Sequence, residues 1–303
     1  MRVLISTANY NSENDTLELI RSLENHNDLI SSSINISLLI FDNSRTFVDA
    51  YTKSTLNINI VKPKRNIGLA PTWKISMSYM LKSDYDCLIL VNNDTEFNKG
   101  FFKELLKAIN NDSSSAYGAF IVLPDGTPWS TGGRFGRLPW VVNHEAKCNE
   151  NYDRSVYSTE HLSGCCIILP REVIESSYNK LLGLSDFFFR GEEWFINRRF
   201  EEIGVKRFIL RDAILIHKEN GSHARFSKAH IYWAIRAKML YVKKLAGLSH
   251  YLSLLTYIIH SFSKGALFYK SHSDLSYTEL SKTILLAIND GLRKKVIRER
   301  DLG

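Results

Sequence analysis

The chain has 303 residues, of which 44% are hydrophobic and 23% charged, so we expect a folded protein with little disorder. The formal net charge is +7, but residues 225–303 alone carry 14 Lys and Arg against 5 Asp and Glu, a net charge of +9. The four cysteines show no CxxC spacing, which argues against a zinc site or a disulfide framework and favours a reducing cytoplasm.

Apolar runs alternate with helical patterns along the first 123 residues. We predict strands at residues 2–7, 36–41, 58–61, 87–91 and 117–123, with helices near residues 17–23, 71–81 and 99–109. Further along, we predict hairpins and a loop over 124–163, strands at 165–169 and 206–210, a helix at 192–203, and helices from 227 onward. This alternation predicts an α/β fold with a doubly wound, mostly parallel sheet.

Polar residues follow four of the predicted strands. They are Asn9, Asp42, Asn66 and Asp94. Any one of them alone is more often a turn former or a helix cap than a ligand. Parallel sheets bind ligands outside the carboxyl ends of their strands, so the four together predict a site at that edge.

Three further features bear on chemistry. Asp94 could hold a divalent cation or simply form a turn before the next helix. His217 could be a metal ligand or a structural hydrogen-bonding residue, and its neighbours place it in a polar loop. Glu192 and Glu193 begin a helix, where carboxylates are favoured electrostatically, but either could also act as a general base.

Seven segments, taken in order, resemble the motifs of the family 2 glycosyltransferases with a GT-A fold. They are residues 7–11 (TANYN), 39–44 (LIFDNS), 66–70 (NIGLA), 90–94 (LVNND), 164–171 (GCCIILPR), 187–193 (FFFRGEE) and 213–222 (AILIH, then GS). The segment at 90–94 is similar to the LNND form of the DxD metal motif, with Asn92 at its first position. Bacterial surface-polysaccharide enzymes of the rhamnosyl- and galactofuranosyltransferase types are the most similar.

The resemblance implies an inverting transfer of a sugar from a UDP- or dTDP-sugar to a hydroxyl of a glycan or lipid-linked glycan in O-antigen or capsule synthesis. It implies Mg²⁺ or Mn²⁺ held by Asp94 and His217, and Glu193 as the base, with Glu192 as the other candidate. The residues implied to contact the donor are Thr7, Asn9, Tyr10, Asp42, Asn43, Asn66, Gly68 and Asn93.

Two other classes of function compete with this interpretation. A sugar nucleotidyltransferase would need a glycine-rich phosphate loop after the first strand, and residues 8–12 contain no glycine. A non-catalytic nucleotide-sugar-binding protein would have no reason to keep Asp94, Glu193 and His217 together. We expect no nucleic acid partner.

The resemblance suggests a boundary near residue 224. We predict a glycosyltransferase domain at 1–224, divided into a nucleotide-binding half (1–123) and an acceptor half (124–224), followed by a basic helical extension at 225–303. The extension mixes basic and aromatic residues, which suits peripheral contact with an anionic membrane on its cytoplasmic side. Alternatively, its aromatic residues pack against the catalytic domain or against a second copy in a homodimer.

Overall fold

A ten-stranded sheet forms the centre of the described part of the chain, in the order β10-β12-β6-β11-β4-β1-β2-β3, with β5 beside β12 and β7 beside β6. The structure is a computed structural model that describes residues 1–30, 34–45, 54–138, 140–146, 155–219, 226–244 and 249–296. The strands are β1 (Arg2–Asn9), β2 (Asn35–Asp42), β3 (Asn57–Val61), β4 (Cys87–Val91), β5 (Thr95–Phe97), β6 (Ala116–Val122), β7 (Pro128–Ser130), β8 (Gly133–Phe135), β9 (Val142–His144), β10 (Val156–Ser158), β11 (Cys166–Pro170) and β12 (Arg207–His217).

Parallel pairing predominates along the main strand order of this sheet. β1 pairs in parallel with β2 and β4, β2 with β3, and β12 with β6. β11 runs antiparallel between β4 and β6, and β10 runs antiparallel to β12. The predicted α/β class and mostly parallel sheet are therefore confirmed, and β8 and β9 form the predicted hairpin region as a separate two-stranded sheet.

Helices cover both faces of the sheet. They are α1 (Glu13–Ile30), α2 (Leu69–Leu81), α3 (Phe101–Asn111), α4 (Arg171–Ser177), α5 (Glu192–Glu202), α6 (Lys228–Lys244), α7 (Ser249–Phe262), α8 (Lys264–His272) and α9 (Tyr277–Arg293), with a 3-10 helix at Leu182–Asp186. Because side chains alternate along a strand, Val3 and Ile5 enter one hydrophobic core with α1 and α3, while Leu4 enters the other with α2.

The C-terminal helices are tied to the second of these cores through α6. Tyr232 and Trp233 of α6 are fully buried there, and the Tyr232 hydroxyl donates to Asp290 Oδ2 of α9 at 2.8 Å. Arg236 is also buried and donates to the carbonyl oxygen of Lys295 at 2.8 Å. Helices from residue 227 onward are therefore confirmed, whereas the boundary at residue 224 stays a prediction. Across the described residues we find no helix whose length and hydropathy would let it span a bilayer.

Two elements differ from the sequence prediction. The strand expected at 206–210 continues to His217, with a shift of register against β6 between Leu210 and Ile214. The short strand β5 pairs antiparallel with the end of β12. His217 therefore ends a strand and is buried, and its predicted placement in a polar loop is wrong because β5 and β6 both pair with this part of β12.

Candidate active site

The ends of β1 and β2 meet in a buried polar network. Asn9 and Asp42 are partners in the parallel register, and Asn9 Nδ2 donates to Asp42 Oδ1 at 3.0 Å. The same Asp42 oxygen accepts hydrogen bonds from the Ser44 hydroxyl at 2.8 Å and from the Arg45 backbone at 3.0 Å. The Thr7 hydroxyl is buried nearby on β1 and has no partner among the described residues. This network fixes the turn that follows β2, and the backbone nitrogen of Ser12 donates to Asn9 Oδ1 at 3.3 Å, which joins the loop after β1 to it.

The turn after β4 is joined to the same loop by Asn93. Its side-chain nitrogen donates to the Ser12 hydroxyl at 2.7 Å and to the Thr16 hydroxyl at 2.9 Å. The Thr16 hydroxyl in turn donates to Asn9 Oδ1 at 3.4 Å. Asn93 thus couples the β4 turn to the start of α1 and to the network behind it.

Asp94 and His217 are brought together by strand pairing. His217 is opposite Thr95 in the β5–β12 register, and the backbone nitrogen of Lys218 donates to the Asp94 carbonyl at 3.0 Å. As a result, His217 Nε2 lies 3.3 Å from Asp94 Oδ2, and both side chains are almost fully buried. The indole of Trp129 packs edge-on against the imidazole, with 4.3 Å between ring centroids.

The loop before α2 is shaped by Gly68. Its φ is +84°, and a Cβ at this position would lie 2.1 Å from the carbonyl oxygen of Phe188. That oxygen accepts a hydrogen bond from the Leu69 backbone at 2.8 Å. Asn66 and Asn43 stabilise the same loop by accepting hydrogen bonds from Gly68 and Ile67 backbone nitrogens at 2.8 Å and 3.2 Å. Only glycine combines this φ with so close a contact.

The two glutamates at the start of α5 differ in exposure. Glu192 is 4% exposed, and one of its carboxylate oxygens is buried without a partner among the described residues. Glu193 is half-buried beside Gly164 and the indole of Trp73. Burial raises the pKa of Glu193, and burial together with repulsion from Glu193 raises the pKa of Glu192 well above its usual range. Glu193 is therefore the more accessible carboxylate of the two.

A cavity of about 780 Å³ opens at the carboxyl ends of the central strands. The predicted site residues that line it are Tyr10, Asn43, Asn66, Gly68, Asn93, Asp94 and His217. Five others are not part of its wall: Thr7, Asn9, Asp42, Glu192 and Glu193. The first three of these lie in the buried layer beneath the wall, and the two glutamates lie between the wall residues Arg190 and Trp194 along the chain. The roles predicted for all twelve stay predictions.

The rest of the cavity lining consists of residues that were not among the predicted site residues. The aromatic and basic residues among them are Trp129, Phe188, Phe189, Arg190, Trp194, Phe226, His230, Trp233, Lys238, Phe268 and Tyr269. Six of these come from residues 225–303, which the sequence predicts to be an extension outside the site. The mixture of aromatic and basic residues was the only signal for these positions, and it is equally typical of a membrane-binding surface.

Known structures share this fold at low sequence identity. S. aureus TarS 1-349 in complex with UDP-GlcNAc aligns with a TM-score of 0.58 and 13% identity, over 98% of this chain and 82% of that one. GalNAc-T7 with UDP, GalNAc and Mn²⁺ gives 0.58 and 12%, over 96% and 55%. The mannosyltransferase PcManGT from Pyrobaculum calidifontis with GDP-Man and Mn²⁺ gives 0.53 and 12%, over 97% and 88%.

The sequence comparisons identify the family. No curated protein matches this chain. The model of the family described as "Glycosyl transferase family 2" matches residues 4–177, which is more than half of the chain. That range contains β1–β4, the loop at Gly68 and the turn at Asp94, so it covers one wall of the cavity. The chain belongs to glycosyl transferase family 2.

Proposed function

We propose that this family 2 glycosyltransferase moves a sugar from a nucleotide diphosphate sugar, UDP- or dTDP-linked, to a hydroxyl of a glycan or lipid-linked glycan in bacterial surface-polysaccharide synthesis. The observation that carries the proposal is the convergence of Asp94 and His217 in a cavity at the strand ends. The solved structures of similar fold support the donor class, since TarS is in complex with UDP-GlcNAc and PcManGT with GDP-Man.

A divalent cation, Mg²⁺ or Mn²⁺, fits the residues present. A carboxylate oxygen and an imidazole nitrogen 3.3 Å apart can both reach one cation, because ligands at about 2.1 Å in octahedral geometry lie roughly 3 Å apart. Two side chains suffice where substrate phosphates and water complete the coordination. Mn²⁺ in the structures of GalNAc-T7 and PcManGT supports this assignment. When bound, the cation would neutralise charge that develops on the leaving diphosphate.

The transfer we propose is a single displacement with inversion. The acceptor oxygen forms a bond to the anomeric carbon as the bond from that carbon to the diphosphate breaks, and the nucleoside diphosphate leaves. Glu193 accepts the proton of the acceptor hydroxyl. Its half-buried position favours it over Glu192, which is nearly inaccessible.

Product identification tests this proposal. The panel contains UDP-, dTDP- and GDP-linked sugars. We expect one of them to give nucleoside diphosphate and transferred sugar in equal amounts, with the sugar transferred to an acceptor or, more slowly, to water. Pyrophosphate release from a nucleoside triphosphate and a sugar phosphate would instead identify a nucleotidyltransferase. Donor binding without any turnover would identify a non-catalytic protein.

We also propose peripheral contact with an anionic membrane through an exposed apolar face of α7 and α8. The residues of this face are Tyr251, Leu252, Leu255, Ile259, Phe262, Leu267 and Phe268, which are between 40% and 73% exposed. The net charge of +9 on residues 225–303 favours an anionic lipid surface over a second copy of the same basic chain. Phe268 also lines the cavity, so the face continues to the mouth of the site.

Vesicle sedimentation tests the membrane contact. The protein should sediment with phosphatidylglycerol vesicles at low salt and be released at high salt, because salt screens surface attraction. Leu255→Asn with Ile259→Asn should weaken sedimentation, whereas Leu182→Asn, at a position 62% exposed on the 3-10 helix, should not. Failure to sediment at low salt contradicts the contact, and a salt-independent dimer in gel filtration assigns the face to a second copy.

A further inference from the structure

Trp129 reaches His217 from an irregular position in β7. Pro128 and Ser130 pair with neighbouring residues of β6, so Trp129 between them is an extra residue of the kind found in a β-bulge. Bulges redirect a side chain and are common beside active sites. Val122, the β6 partner of Pro128, also pairs with β12 one residue before His217. The bulge therefore lies beside the end of β12, and the Trp129 and His217 rings meet at an interplanar angle of 70°.

The indole of Trp129 has a second contact, with the residue that turns the chain after β12. Its Nε1 atom donates a hydrogen bond to Glu219 Oε1 at 2.6 Å. Glu219 lies two residues after His217 and has a φ of +54°, a left-handed conformation that residues other than glycine rarely adopt. Such a conformation persists only where surrounding contacts hold it. Trp129, His217 and Glu219 thus form one connected unit, and all three line the cavity.

The imidazole of His217 lacks the hydrogen bond that usually orients a metal ligand. Its Nε2 atom faces Asp94, at 3.3 Å from Oδ2. Its Nδ1 atom is buried and has no hydrogen-bond partner among the described residues. Metal-binding histidines almost always donate a hydrogen bond from their second ring nitrogen, and this bond fixes the tautomer and the orientation of the ring. In the described part of the chain, the ring contact with Trp129 takes the place of that bond.

We propose that Trp129 and Glu219 are positioning residues for His217: the indole holds the imidazole with Nε2 towards Asp94, and the carboxylate holds the indole. The inference rests on the proposed function, because it concerns the cation that Asp94 and His217 would share. Contacts between aromatic rings have preferred geometries, so a fixed indole can orient the imidazole. Glu219 then acts through the indole and does not bind the cation itself.

Calorimetric titration of Mn²⁺ into the full-length protein tests this role. The protein is first saturated with UDP, dTDP or GDP, whichever binds the wild type. Trp129→Ala should raise the dissociation constant of Mn²⁺ about tenfold or more, as expected for loss of a contact that orients a metal ligand. Glu219→Ala should also raise it, whereas Glu219→Gln keeps an oxygen acceptor for the indole and should stay within about twofold of the wild type. Nucleotide binding in chelator should be the same in all three variants, which shows that they are folded.

Two controls make the result specific. Trp129→Phe keeps a ring against the imidazole and should lose less Mn²⁺ affinity than Trp129→Ala. Tyr277→Ala, at a position 64% exposed at the start of α9, should lose none. Unchanged Mn²⁺ binding in Trp129→Ala would overturn the proposal. A loss in Glu219→Gln as large as that in Trp129→Ala would overturn it too, because it would show that Glu219 binds the cation directly.

The imidazole provides a readout that does not depend on the cation. In ¹⁵N spectra of the cation-free wild-type protein, the ring signals of His217, assigned by their absence in His217→Ala, should show a single tautomer. In Trp129→Ala the two tautomers should average, and a single tautomer retained there would contradict the positioning role. An ordered His217 ring in a wild-type protein that binds no nucleotide with Mn²⁺ would contradict the proposed function instead, so the two failures are distinguishable.

Discussion

Glu193→Gln should lower kcat by about 10²- to 10⁴-fold, the range that a positioned general base contributes. Glutamine keeps the size of the side chain and its place beside Gly164, but it cannot accept the acceptor proton. The dissociation constant of the donor should change little, because the proton is transferred only in the transition state. Single-turnover transfer rates with calorimetric donor binding measure both quantities.

Glu192→Gln is the matched control for this prediction. Because Glu192 is 4% exposed, its substitution should reduce kcat far less than that of Glu193. An inactive Glu192→Gln beside an active Glu193→Gln would show that the two roles are exchanged.

The pH profile provides a second test of the base. The active form of Glu193 is the carboxylate, which is present above its pKa, and burial raises that pKa. The value of kcat should therefore fall on acidification at a higher pH than for an ordinary glutamate, and this limb should vanish in Glu193→Gln.

Much of the sheet could be predicted from local patterns. The strand at 87–91 matches β4 at both ends, and the predicted strands at 2–7 and 36–41 are extended by only one or two residues in β1 and β2. Buried parallel strands form continuous apolar runs, which explains this accuracy. The contact between Asn9 and Asp42 could be predicted because each follows a parallel strand. The carboxyl ends of such strands lie at one edge of the sheet, where ligands bind.

The surroundings of His217 were less predictable, because they depend on non-local pairing. β5 has three residues and acquires its structure by pairing with β12, more than a hundred residues away in sequence. β12 pairs with β6 in two segments, and residues 211–213 lie between these segments. The apolar pattern of the sequence is interrupted at the same residues. The cavity-lining residues of α6 could not be predicted for a similar reason. Periodicity shows that α6 has an apolar face, but it does not show which element packs against that face.

Asp94→Asn and His217→Ala should each abolish most of the cation-dependent binding of a nucleoside diphosphate. Loss of a residue that only hydrogen-bonds to a metal ligand lowers the metal affinity about 10- to 100-fold. Loss of a ligand itself should lower it at least as much. Transfer should stop in excess chelator and return with Mn²⁺ or Mg²⁺. Asp125→Asn is the matched control, because Asp125 is an exposed residue of the turn after β6 and does not line the cavity.

Calorimetric titration of UDP, dTDP and GDP into the full-length protein, with Mn²⁺ and with chelator, tests the central claim most directly. We predict that at least one nucleotide binds tightly with Mn²⁺ and weakly with chelator, that Asp94→Asn and His217→Ala remove this difference, and that Asp125→Asn retains it. Equal binding with and without the cation in the wild-type protein, or a cation effect that survives both substitutions, would contradict the assignment of Asp94 and His217 to the donor diphosphate.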